Sequence, residues 1–181
     1  MKFKIIKLSD GSQKDCSFEE LSTSLFANCV ILRAKEEGFE SIGLVTHHTL
    51  TYFAVEFASY ALQNYTKKII PEAQICIALT RKWLEDQSSV SKEELCDIAN
   101  DASDAADYLD DFTANAAYYA ANAAANAANA AANAASYACA YAAVDAAEAA
   151  DAAYAAVDAV ENKLDEQNRQ ATFILNFFGV E

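Results

Sequence analysis

Over the first eight residues (MKFKIIKL) apolar and polar positions alternate weakly, and the run ends at Ser9-Asp10-Gly11, a turn sequence. The pattern predicts a short strand at a sheet edge. The period then lengthens. Ser17-Phe18-Glu19-Glu20 has the form of a capping box, in which a serine oxygen caps the first helical turn and a glutamate reaches back. Phe18, Leu21, Leu25, Cys29 and Leu32 come next at helical spacing, and Gly38 stands where such a helix would close. Residues 39–45 are apolar and bounded by Gly38 and His47-His48; they fit a strand or an irregular link.

Helical periods dominate beyond residue 48. Thr49 or Thr51 can cap a helix that carries Phe53, Phe57, Tyr60, Ala61 and Tyr65 on one face. Pro71 suits the first turn of the next helix, because it lacks the N–H that a first turn leaves unpaired. The pattern over 72–86 turns Ile75, Leu79, Trp83 and Leu84 inward. Gln87-Ser88-Ser89 breaks it, and Ser91-Lys92-Glu93-Glu94 is a second capping box. From 114 to 160, 28 of 47 residues are alanine, the strongest helix former. One helix over 92–170 would run on the order of 115 Å, too long for a domain of this size, so the segment is predicted to fold back. The candidate corners are 110–113 and 133–137. The apolar tail 172–180 (TFILNFFGV) is predicted to dock on the core.

Composition sharpens this picture. A chain of 181 residues fits one domain. Alanine inflates the 54% hydrophobic content, so core mass must come from ten Phe, nine Tyr, Trp83 and the aliphatic residues. Four Gly and one Pro are too few for the many tight turns of an all-β protein. The expectation is a mainly α fold: an alanine-rich multi-helix bundle with close helix packing and a short N-terminal β element. Residues 1–181 are read as a single domain, with a cap of short strand and helix over 1–48 and the bundle with its alanine-rich array over 49–181.

Charge is distributed unevenly. Of the net −14, nearly all arises between Lys92 and Lys163, where 13 Asp and Glu stand and no Lys or Arg. Such a field repels nucleic acid and anionic membrane and attracts basic partners. The five cysteines form no C-x-x-C, which suggests reduced, mostly buried thiols. No export signal and no run of about 18 strongly apolar residues is seen, so neither export nor a membrane span is expected.

On a continuous helix Asp97, Asp101, Asp104, Asp111, Asn115, Asn122, Asn126, Asn129 and Asn133 would share one stripe. The plain reading is a solvent-facing edge that keeps an alanine-rich protein soluble. A row of acceptors for a partner is a second reading, extending to mimicry of a nucleic-acid backbone. Ice binding is a third, since Asn115 to Asn126 and Asn122 to Asn133 both step by eleven. The large aromatic content speaks against the last.

Catalytic signatures are not found. His47 and His48 are adjacent and diverge on either a strand or a helix, so they are poor joint metal ligands. There is no P-loop, G-x-G-x-x-G, G-x-S-x-G, H-x-x-x-H or calcium loop. A Cys–His pair would need Cys16, Cys29 or Cys76 to meet His47 or His48 through the tertiary fold. No catalytic residue, cofactor or metal is expected.

Residues 53–109 read FAVEFASYALQNY, then IIPEAQICIALTRKWLEDQSSVSKEEL, then an alanine series. This resembles a group of small, alanine-rich helical bacterial proteins, the immunity proteins of toxin systems. Pro71, Ala78, Trp83, the polar break at 88–91 and Glu94 carry the resemblance, which spans roughly residues 50–160. The array in that group is often rich in Arg, His and Gly, where this chain has Asn, Asp and Tyr. The resemblance implies a cytoplasmic, non-enzymatic protein that binds and neutralises a toxin or effector. With the charge pattern, it nominates Asp101, Asp104, Asp107, Tyr108, Asp110, Asp111, Tyr118 and Tyr119 as contacts to a protein partner with a basic surface. Direct nucleic-acid binding and membrane binding are not expected, and the oligomeric state is left open. The alternatives are a nucleic-acid-mimicking inhibitor of a DNA-binding or defence protein, and a structural or ice-binding helical protein.

Overall fold

A computed structural model describes residues 1–64, 70–107, 128 and 162–180. Four strands come first: β1 (Lys2–Lys7), β2 (Gln13–Ser17), β3 (Cys29–Lys35) and β4 (Gly38–Val45). They form one antiparallel sheet in the order β2-β1-β3-β4. Helices α1 (His47–Asn64), α2 (Pro71–Glu85), α3 (Lys92–Asp107) and α4 (Lys163–Phe177) come after the sheet. The protein is therefore a mixed α/β fold, and the expected mainly α bundle is corrected. The N-terminal cap is a four-stranded sheet where a short strand and a helix were expected.

The correction has a local cause. Cys29-Val30-Ile31-Leu32 is a run of strand-favouring residues, and its periodicity fits a buried strand as well as one turn of helix. The predicted helix over this stretch is instead a 3₁₀ turn at Ser22–Ser24, followed by β3. Gly38 does not close a helix. It begins β4 after the two-residue turn Glu36-Glu37, with φ of +152°, a conformation that side chains other than glycine's rarely adopt. Strand β1 is also not an edge, since β2 pairs on one side and β3 on the other.

The register sorts side chains by face. Phe3, Ile5, Cys16, Cys29, Ile31 and Val45 are buried together with residues of the helices, so the helices cover this inner face. Gly43 shares it, opposite Ile31, and the Phe178 ring fills the space a side chain would take. The other face carries Lys4 opposite Leu32, and Ile6 opposite Val30, which in turn lies opposite Leu44.

Helix α1 is capped by Thr46, whose Oγ1 accepts from the Thr49 backbone N–H at 3.1 Å; Thr49 and Thr51 were the expected caps. Leu50, Phe53, Ala54, Phe57, Ala58 and Ala61 form its buried stripe. Pro71 stands in the first turn of α2. That helix buries Ala73, Cys76, Ile77, Thr80 and Trp83, while Ile75, expected inward, is 53% exposed. The Arg81 guanidinium donates to Glu56 Oε1 at 2.8 and 3.2 Å, tying α2 to α1. The tail docks as predicted: Ile174 and Leu175 are buried. Phe173 and Phe177 meet Tyr52 and Phe53 with ring centroids 5.1–6.0 Å apart, mostly tilted or edge-on, as aromatic quadrupoles prefer.

Candidate functional site

Helix α3 starts at the second capping box, which is complete. The Ser91 N–H donates to Glu94 Oε2 at 3.0 Å, and the Glu94 N–H donates to Ser91 Oγ at 3.1 Å. Leu95 then joins Trp83 and Val90 in a buried cluster that pins this end of α3 to α2. Ala99 and Ala102 carry the buried stripe onward into the main core. The rotation of the helix is fixed by these anchors, and it turns the acids outward.

Glu93, Glu94, Asp97, Asn100, Asp101 and Asp104 are all exposed. Asp97, Asp101 and Asp104 are spaced i, i+4, i+7, so they lie on one stripe with axial steps of about 6 and 4.5 Å. Among the described residues no ion pair engages them. Like charges at this spacing destabilise a helix by roughly 0.2–0.5 kcal/mol per pair, so the stripe opposes the stability of the chain that carries it. Of the nominated contacts, the structure brings Asp101 and Asp104 together on this face. Asp107 is the last position of α3. Tyr108, Asp110, Asp111, Tyr118 and Tyr119 lie outside the described residues, as do the candidate corners at 110–113 and 133–137, Cys139 and the asparagine stripe.

A buried polar cluster was not legible in the sequence. Ser22 Oγ donates to Gln170 Oε1 at 2.7 Å, and Gln170 Nε2 donates to Glu166 Oε1 at 2.9 Å. Arg169 grips Glu166 with Nε and an Nη, at 2.7 and 2.6 Å. Its guanidinium also stacks 3.7 Å from the centre of the Tyr60 ring. Glu166 is 1% exposed and Gln170 is fully buried. The spacing of Glu166 and Arg169, one helical turn apart, was the available signal, but it does not say which face is inside. The cluster ties the turn after β2 to α4. The carboxylate accepts from two guanidinium N–H groups and an amide, so the cluster reads as a structural clamp. Above it lies an open groove of about 610 Å³, lined by Tyr60, Asp165, Asn168, Arg169, Thr172, Phe173 and Asn176.

The cysteines are poorly placed for nucleophilic work. Burial pushes the thiols of Cys16 and Cys29 up to about 11 and that of Cys76 up to about 12. A nucleophile needs the thiolate, which is then scarce at neutral pH. His48 Nε2 lies 2.9 Å from the Leu84 carbonyl oxygen at the end of α2, a contact that links helices. Among the described residues no group of three or more His, Cys, Asp or Glu could hold a metal ion. No described helix is long and apolar enough to cross a membrane.

No family model, curated protein or solved structure matches the chain. The fold and the site define a class: a mixed α/β protein that presents an acidic helix face without internal counter-charges among its described residues.

Proposed function

We propose that this chain is a cytoplasmic, non-enzymatic protein-binding inhibitor of the immunity type, which neutralises a toxin or effector through the acidic face of α3. The observation that carries the reading is the exposed stripe of Asp97, Asp101 and Asp104, held outward by buried anchors and met by no described counter-charge. A row of like charges that costs helix stability is accounted for if a basic partner neutralises it. Electrostatic attraction speeds encounter and aligns the partners, while aromatic anchors supply most of the affinity. The resemblance of residues 53–109 to immunity proteins supports the same class.

The test is capture of a partner from a lysate, followed by charge reversal. Asp101→Lys with Asp104→Lys is expected to weaken capture at least tenfold and to flatten its salt dependence. Thermal stability should stay level or rise slightly, because like-charge repulsion along α3 is relieved. Capture unchanged by the double reversal, in a folded protein, removes α3 from the interface. Capture that DNA competes away moves the reading to nucleic-acid mimicry.

A further inference from the structure

We draw no further inference here: the strongest candidate, the open groove between Tyr60 of α1 and the stripe of Asp165, Asn168, Arg169, Thr172 and Asn176 on α4, runs along the clamp already described, which engages its one cation, and nothing in the structure shows which ligand would fill it.

Discussion

Gly43 occupies an inward position in the row that runs from Ile5 to Ile31, and the Phe178 ring takes the place of its side chain. A Cβ there would overlap the ring, so Gly43→Ala should cost about 1–3 kcal/mol by overpacking. Urea unfolding checks this: the midpoint falls, and Phe178→Ala in the same chain cancels part of the loss. The cysteines give a pH prediction. The folded chain holds the protons of Cys16, Cys29 and Cys76 more tightly than an ordinary thiol, whose value is 9.0. Below about pH 9 both states are protonated and nothing is lost. As pH rises through about 11, the unfolded chain has released these protons first, so stability falls. A melting series from pH 7 to pH 11 should show that decline, and Cys16→Ala should reduce it. At pH 8, mass spectrometry of a thiol-labelled sample should find half-buried Cys96 modified before those three. Local motifs are read with uneven success at this scale. Ser91 and Glu94 exchange both capping bonds and open a helix, whereas Ser17 donates its N–H to Glu20 Oε2 at 3.0 Å and no α-helix begins there. At Ser17 only the bond from its N–H to the glutamate is found, without the reciprocal bond to the serine oxygen; the residues on the C-terminal side of the motif decide the element.

At the scale of elements, α4 depends on a buried ion pair. Glu166 is buried and accepts from Arg169 and Gln170, and the Arg169 guanidinium in turn stacks on Tyr60. Glu166→Ala would leave a guanidinium without its carboxylate, and the expected loss is about 3–5 kcal/mol. Replacing both partners, Glu166→Leu with Arg169→Met, should be far milder, because no lone buried charge remains. Chemical denaturation of the single and double variants checks the contrast; equal losses would mean that packing, not charge, sets the cost. The long amphipathic helices were legible because each repeats its stripe over several turns: Phe53, Phe57 and Ala61 on α1, and Trp83 on α2. Of the short strands, β1 was legible, but β2 and β3 were not. Over four to seven residues a helical and an extended period fit the same apolar positions, as in Cys29-Val30-Ile31-Leu32. Ile75 shows the converse limit: it is apolar, but its angle on α2 faces solvent.

Across the whole molecule, charge is partitioned by region. Residues 1–45 are close to neutral, and nearly all of the deficit lies between Lys92 and Lys163. Of the candidate site, the acidic composition, the second capping box and the helical spacing of Asp97, Asp101 and Asp104 could be read directly. Their outward orientation could not, because it comes from Leu95, Ala99 and Ala102 being held by α2 and the main core. The sequence by itself determined the helices of residues 47–107, the start of α3 and the sign of the surface field, since propensity, capping and charge act within a few residues. Only the tertiary structure decided that residues 1–45 make a sheet, that β1 lies inside it, and that Glu166 is buried. Strand pairing and burial are set by neighbours distant in sequence, and no local pattern encodes which of them arrive.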